Sequence, residues 1–210
     1  MTDGAVGITF QEQMKGGFAL GASDPSDGQR KGRASGQELT LHAEVAIDDV
    51  RRFRDDPQHA GSLAGTVDFA PLGSGLAGRN GVFNLFSPTD QPGLKLMVYE
   101  LGFQSGGKDY YLAGAKQVHK DTGFDLWSDT TTLFTRLHQG KDKSGPVVGA
   151  GILTLGVGDL LKLTSTIRTT NAKDPGQSVQ AIAEFTEFFL GELADSYLKP
   201  VPADSRKPGV

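Results

Sequence analysis

The chain has 210 residues, a formal net charge of −4 and no cysteine. A length of this order suits one domain. Without cysteine the chain cannot form disulfides, use a thiol nucleophile or bind a metal through thiolates. Basic residues are scattered among acidic ones, which argues against nucleic acid as a partner, and no apolar run approaches the roughly 18 residues of a membrane-spanning helix.

The first part of the sequence alternates apolar and polar residues in short segments. A period of two is typical of β-strands, because successive side chains point to opposite faces of a sheet. The pattern predicts strands over residues 8–20, 38–47 and 63–72, with Glu12 on the apolar face of the first. Residues 21–36, rich in Gly, Ser and Asp, are predicted to form a mobile connection.

Two short sequence segments predict the type of connection between neighbouring strands. Residues 48–53 predict a helical turn, since Asp accepts hydrogen bonds from the free amides of a first helical turn, and Asp56-Pro57 ends it. Asn80-Gly81 tolerates positive φ at both positions and therefore predicts a hairpin that leads into a strand over 82–86.

The rest of the chain adds strands and one long helix. Residues 94–103 and 110–118 predict a second hairpin, and further strands are expected over 130–137 and 147–155. Residues 177–198 place apolar side chains at spacings of three and four, which predicts an amphipathic helix.

These elements predict a mainly β fold, an antiparallel β-sandwich or flattened barrel with short helical turns and a long C-terminal α-helix. Residues 8–198 are expected to form this single domain. Residues 1–7 are expected to be a flexible N-terminus, and the polar residues 199–210 a disordered tail.

None of the familiar catalytic motifs occurs with the neighbouring sequence and spacing that its function requires. Gly73–Gly78 has the spelling of a dinucleotide-binding loop, but a strand follows it where the pyrophosphate needs the start of a helix. No G-x-S-x-G nucleophile elbow is present. The histidines are far apart and lack metal-binding spacing: His42, His59, His119 and His138. The sequence therefore predicts no cofactor and no recognised catalytic machinery.

Residues 119–132 are the richest in functional side chains and include the only tryptophan, Trp127. Three aspartates recur at intervals of four: Asp121, Asp125 and Asp129. Their carboxylates could bind calcium from a loop, although the spacing is not that of an EF-hand. A nucleophilic triad of Ser128, His119 and an aspartate would need a sharply presented serine. The favoured interpretation is a long turn in which these groups bond to local backbone.

Two carboxylates, Glu12 and Glu100, lie within predicted apolar strands. A buried carboxylate is a candidate acid or base, although an outward-facing glutamate is commoner. With two aromatic residues they form the set of candidate ligand-binding residues: Glu12, Tyr99, Glu100 and Trp127.

Several sequence blocks carry a resemblance to a known family. They are Phe10-x-Glu12-x-Met14-x-Gly16, Gly81-Val-Phe-Asn-Leu-Phe86, Met97-x-Tyr99, Tyr111-x-x-x-Gly114-x-Lys116, Phe124-Asp-Leu-Trp-x-Asp-Thr-Thr-Thr-Leu-Phe134 and Phe185-x-x-Phe188-Phe189. Together they resemble an accessory domain of large bacterial proteins that also carry a cholesterol-oxidase-like GMC flavoprotein part and often an α/β-hydrolase part. The resemblance spans residues 8–198 and implies association with lipid or sterol chemistry. The flavin and hydrolase motifs lie outside it.

Three functions are consistent with these observations. The leading one is a non-catalytic binding or interaction module for a lipid- or sterol-like ligand, a membrane surface or a partner enzyme. The others are a small barrel enzyme that uses Glu12 or Glu100 on an apolar ligand, and a calcium-dependent surface module. The first residues lack the charged and apolar regions of a signal peptide, and the expected location is cytoplasmic.

Overall fold

The structure is a computed structural model that describes residues 5–119, 130–156 and 166–197. It confirms the predicted mainly β fold with a long C-terminal helix, and the sheet is antiparallel and barrel-like. Residues 1–4 and 199–210, part of the predicted flexible ends, lie outside the described ranges.

The barrel consists of eight strands in sequence order. They are β1 (Gly7–Leu20), β2 (Glu38–Ile47), β3 (Ala60–Phe69), β4 (Gly73–Pro88), β5 (Leu94–Ser105), β6 (Lys108–His119), β7 (Thr132–Gln139) and β8 (Val147–Leu155). Each strand pairs antiparallel with the next, and β1 pairs with both β2 and β8, which closes the sheet. A ninth strand, β9 (Arg168–Thr170), pairs with the start of β1. The arrangement is an up-and-down barrel.

Alternate residues of every strand face the interior, where apolar side chains pack closely. Phe18 and Phe69 meet edge to face with ring centroids 5.2 Å apart, and Phe10 and Phe83 do so at 5.9 Å. All four rings are at most 4% exposed. An eight-stranded barrel has an interior just wide enough for side chains to fill or for one small ligand.

The first connection is a helix and not the mobile segment that its composition predicts. Helix α1 (Pro25–Ser35) begins at Asp24, whose side chain accepts from the amide of Asp27, and ends at Gly36 in the left-handed conformation. It packs against the outside of β1 and β8. Its buried residues are Pro25, Gly28 and Gly32, so the buried face carries no large apolar side chain that a pattern search would find.

Two further helices, α2 and α3, lie where the sequence predicts them. Helix α2 (Val50–Asp55) follows β2 and is capped by Asp49, which accepts from the amides of Arg51 and Arg52. Helix α3 (Pro175–Tyr197) follows β9 and packs on one end of the barrel. There Phe185 contacts Phe10 with ring centroids 5.8 Å apart, and Phe189 contacts Phe86 at 5.6 Å.

The hairpin predicted at Asn80-Gly81 is wrong, because β4 continues through both residues. Asn80 does adopt a positive φ, 57°, but it lies in an irregular stretch of the ladder between Gly78 and Val82. The residue that accepts the left-handed conformation therefore bends a strand instead of reversing it. The predicted β5–β6 hairpin is confirmed, with Gly106 and Gly107 both at positive φ in its turn.

The close approach of α1 to the barrel predicts that Gly28→Ala destabilises the protein. A Cβ on Gly28 would lie 2.0 Å from the backbone oxygen of Ala150. Because two backbone segments must separate to admit it, we expect a loss of about 1–3 kcal/mol. The measurement is urea unfolding followed by circular dichroism.

The matched control is Gly191→Ala, a glycine in α3 where an added Cβ meets nothing within 4 Å. This change should raise the free energy of unfolding by about 0.5–1 kcal/mol, since alanine loses less conformational entropy in a helix. Equal effects of the two changes would contradict the close packing of α1.

Candidate functional site

Three polar side chains meet inside the apolar barrel. Glu12 lies on β1 between Phe10 and Met14, which are both buried. Tyr99 on β5 and Lys116 on β6 come from two paired strands, in which Tyr99 pairs with Gly114 and Lys116 pairs with Met97. The alternation of each strand directs all three side chains inward.

The three groups are in mutual contact, and we call them the interior polar cluster. The hydroxyl of Tyr99 donates to Glu12 Oε2 over 3.0 Å. Lys116 Nζ lies 3.4 Å from the same carboxylate oxygen and 3.3 Å from the Tyr99 hydroxyl. The ammonium is also 4.7 Å from the centroid of the Tyr99 ring, a cation–π distance. The side chains of Lys116 and Glu12 are 2% and 8% exposed.

Small residues on the neighbouring strands pair with members of the cluster. Ala43 pairs with Glu12 across β1 and β2, and Gly65 pairs with Ala43 across β2 and β3. Gly114 pairs with Tyr99, and an added Cβ there would lie 2.9 Å from the Leu133 side chain, which already fills the space beside it.

The charges of the cluster balance. One carboxylate and one ammonium share the apolar interior, and removing either would leave the other buried without a counter-ion. Burial, together with the negative charge of Glu12 and its hydrogen bond, raises the pKa of Tyr99 well above its usual value. The phenol therefore stays protonated at physiological pH and serves as a hydrogen-bond donor.

The structure brings together two of the four predicted ligand-binding residues. Glu12 and Tyr99 meet in the cluster, whereas Glu100 lies on the outer face of β5. There its two oxygens accept from the Tyr111 hydroxyl and from Lys143 Nζ, each over 2.6 Å. Tyr99 and Glu100 are consecutive, so an extended strand cannot direct both into the interior.

The remaining predicted site residues lie outside the described residues. They are Trp127 and the three aspartates of the proposed calcium loop, Asp121, Asp125 and Asp129. Within residues 5–119, 130–156 and 166–197, no group of three or more His, Asp or Glu side chains is placed to hold a metal ion.

Lys116 is the member of the cluster that was not predicted as a site residue. The alternation Leu112, Gly114, Lys116, Val118 contains the signal, because it places the lysine on the apolar face of β6. Lysine is commonly read as an exposed residue, and its partner Glu12 is 104 residues away in the sequence. Nothing local in the sequence links the two.

A groove of about 370 Å³ along β1, β2 and β3 is lined by Glu12 of the interior polar cluster, by Ala43 and Gly65, and by His42, which belongs to a second polar group. His42, which lines this groove, contacts Asp68 with Nε2 and Oδ2 2.9 Å apart, and the Ser74 hydroxyl donates to Asp68 Oδ1 over 2.6 Å. The bonds from Ser74 and Gly75, followed by that of His42, lower the pKa of Asp68 to about 2. Serine and histidine each bond to the aspartate and not to one another, so the order of a Ser–His–Asp triad is not formed.

Helix α3 presents an apolar stripe to solvent on the side away from the barrel. The stripe consists of Val179, Ile182, Ala183, Thr186 and Leu190, which together with Glu187 line one shallow depression. Val179 and Leu190 are 69% and 57% exposed. The opposite face of the helix packs its phenylalanines on the barrel, so α3 is apolar on two faces.

Comparison of the chain with protein-family models, with curated proteins and with solved structures finds no match. Among the described helices, none combines the length and hydropathy needed to cross a membrane.

The pKa of Tyr99 predicts how its removal changes stability with pH. A phenol whose pKa is higher in the folded than in the unfolded state contributes stability below about pH 10, and this contribution is lost as pH rises above that value. Tyr99→Phe should cost about 1 kcal/mol at pH 7 through the lost hydrogen bond, and its stability should fall less steeply above pH 10. Urea midpoints between pH 7 and 11 measure both effects. Parallel curves for the two proteins would contradict the burial of the phenol.

Proposed function

We propose that the barrel binds a neutral, apolar small molecule that carries one hydroxyl or carbonyl group, in the manner of a sterol or a lipid alcohol. The interior polar cluster contacts that group, and the surrounding apolar side chains contact the rest of the molecule. The chain is in this proposal a cytoplasmic, non-catalytic binding module. The observation that carries it is the buried ion pair of Lys116 and Glu12 with Tyr99 among buried side chains that are mostly apolar.

The energetics of buried ion pairs support a role for Lys116 and Glu12 beyond stabilising the fold. Apolar side chains of similar volume often stabilise a protein as well as a buried ion pair does, or better, because both charges lose their hydration. A few converging polar groups in an apolar enclosure are the usual means by which a ligand site fixes orientation. The cluster matches that composition, and the eight-stranded barrel is an architecture of suitable width.

The charge of the cluster favours a neutral ligand over an anionic one. Lys116 and Glu12 already neutralise each other, so a fatty-acid carboxylate would add one uncompensated negative charge to an apolar interior. A hydroxyl can donate to Glu12 and accept from Lys116. A carbonyl oxygen can accept from Lys116 and from the Tyr99 hydroxyl. The resemblance to an accessory domain of sterol-related flavoproteins points to the same ligand class.

The proposal predicts a preference between two ligands of equal chain length, 1-decanol and decanoate. Decanol should bind about tenfold or more tightly than decanoate, since a buried uncompensated charge costs more than the roughly 1.4 kcal/mol of a tenfold ratio. Isothermal titration at pH 7 measures both affinities. Native mass spectrometry and organic extraction of freshly purified protein test for a ligand of the same class.

The control is the double substitution Glu12→Gln with Lys116→Met, which keeps the interior neutral and the side-chain volumes similar. It should remain folded by circular dichroism and bind decanol about tenfold more weakly. Decanoate that binds as tightly as decanol, or no saturable binding of decanol to the wild-type protein, would overturn the proposal.

A second candidate function is docking of a partner helix on the stripe of α3. Val179, Ala183, Thr186 and Leu190 follow one another at spacings of four, three and four, the spacing along which a second helix packs. All charged residues within α3 are acidic: Glu184, Glu187, Glu192 and Asp195. Glu184 and Glu192 already pair with Arg51 and Lys95, whereas Glu187 lines the depression at the stripe. A second copy of α3 would bring its own Glu187 toward this one, so a partner helix with a basic side chain beside its apolar face fits better.

This second function predicts selective binding of a designed peptide. A 21-residue helix with leucines along one face and flanking lysines should bind the wild-type protein more tightly than the same peptide with flanking glutamates. Leu190→Glu should weaken binding of the lysine peptide by about tenfold, because it places a charge in the contact. Fluorescence anisotropy gives the affinities.

The matched control is Gln139→Glu, which adds the same charge at an exposed residue of β7 and should leave the affinity nearly unchanged. Equal binding of both peptides, or no effect of Leu190→Glu, would exclude docking on the stripe.

A further inference from the structure

We propose that Lys116 forms an imine with the carbonyl carbon of an aldehyde or ketone ligand. This inference rests on the proposed function, since the ligand has first to reach the interior polar cluster. It assigns to the barrel a covalent, reversible mode of carbonyl binding.

The position of Lys116 suits a lysine that acts as a nucleophile. Burial in apolar surroundings disfavours the charged form of a lysine and so favours the free amine that attacks a carbonyl group, and a neighbouring carboxylate can take up the proton that the ammonium releases. The side chain of Lys116 is 2% exposed and points into the barrel. Glu12 Oε2 lies 3.4 Å and the Tyr99 hydroxyl 3.3 Å from Nζ. Both distances permit proton transfer after a small adjustment on ligand binding.

The two neighbours can perform the proton transfers that imine formation needs. Glu12 accepts one proton from the Lys116 ammonium, and the amine nitrogen then attacks the carbonyl carbon. A C–N bond forms while the electron pair of the C=O bond moves to oxygen. That oxygen takes a proton from the Tyr99 hydroxyl, and the nitrogen of the adduct returns one to the phenolate, which gives a neutral carbinolamine.

Loss of water completes the reaction. The carbinolamine hydroxyl takes the proton held by Glu12 and departs as water, while the nitrogen lone pair forms the C=N bond. The protonated imine that results pairs with the Glu12 carboxylate, so the charge of the interior is the same before and after. The reaction consumes one carbonyl compound, releases one water and needs no oxidant or reductant.

Burial distinguishes Lys116 from lysines on the outside of the barrel. Lys95 forms an ion pair with Glu192, and Lys143, with Glu100, has a side chain that is 61% exposed. An imine on such a lysine is open to water and hydrolyses. An imine on Lys116 would be enclosed by apolar side chains, which exclude water from the C=N bond.

The test is reductive trapping with decanal and sodium cyanoborohydride, followed by peptide mapping. We expect one decyl group per chain on Lys116, attached about tenfold faster than on Lys95 or Lys143. Glu12→Gln should slow attachment at Lys116 by about a hundredfold, because it removes the proton acceptor. Attachment at Lys95 and Lys143 should not change in that variant, which excludes a general effect on the reagent. Because Glu12→Gln also removes the counter-ion of Lys116, circular dichroism checks that the variant is folded.

Binding of 1-decanol, measured in parallel, distinguishes failure of the imine proposal from failure of the proposed binding function. If decanol binds but decanal labels Lys116 no faster than Lys143, the imine is excluded and non-covalent binding stands. If decanol does not bind and Lys116 is not labelled, the binding function itself is overturned. Selective labelling of Lys116 that Glu12→Gln slows establishes the imine.

Discussion

The double pairing of β1 is the constraint on which the rest of the structure depends. The first part of this strand pairs with β2, and its second part pairs with β8. The two ladders overlap at Met14 and Lys15, so one strand closes the sheet upon itself. A closed sheet has an inside, and alternation then decides which residues lie there. Glu12 is buried because it lies in phase with Phe10 and Met14, although burial is costly for a carboxylate.

Because the burial of Glu12 depends on the phase of β1, the interior polar cluster forms only in the observed register of that strand. A slip of β1 by one residue would send Glu12 to the outer face and bring Gln11 or Gln13 into the barrel. Lys116 would then be buried without a counter-charge, a loss of several kcal/mol. The ion pair therefore disfavours alternative registers of the strand that closes the barrel. The same two groups that a ligand would meet also help to specify the fold that encloses them.

The sequence predicts those elements whose pattern is carried by large apolar side chains. The bounds of β2 and β8 agree with the predicted ranges. Strand β2 alternates clearly along its length, whereas β8 is a short, almost continuous apolar run, as is typical of a strand buried on both faces, and α1 covers its outer side. Helix α1 escapes prediction because its buried face is glycine and proline, and its contact with the barrel depends on backbone approach. Only part of the interior polar cluster can be predicted from the sequence. Alternation places Glu12 inside, but its meeting with Lys116 depends on the barrel's closure, which no local pattern encodes.

Helix α3 connects the two proposed binding functions in one element. Its inner face covers one end of the barrel through Phe185 and Phe189, which contact residues of β1 and β4. Its outer face carries Val179 and Leu190. A partner bound to the outer face adds no atom to the interior, but it stabilises the helix in place by mass action. The same contacts hold α3 against the barrel and leave its stripe facing outward, so a partner's affinity and a ligand's affinity are coupled only to the extent that each binds differently to the states of this helix.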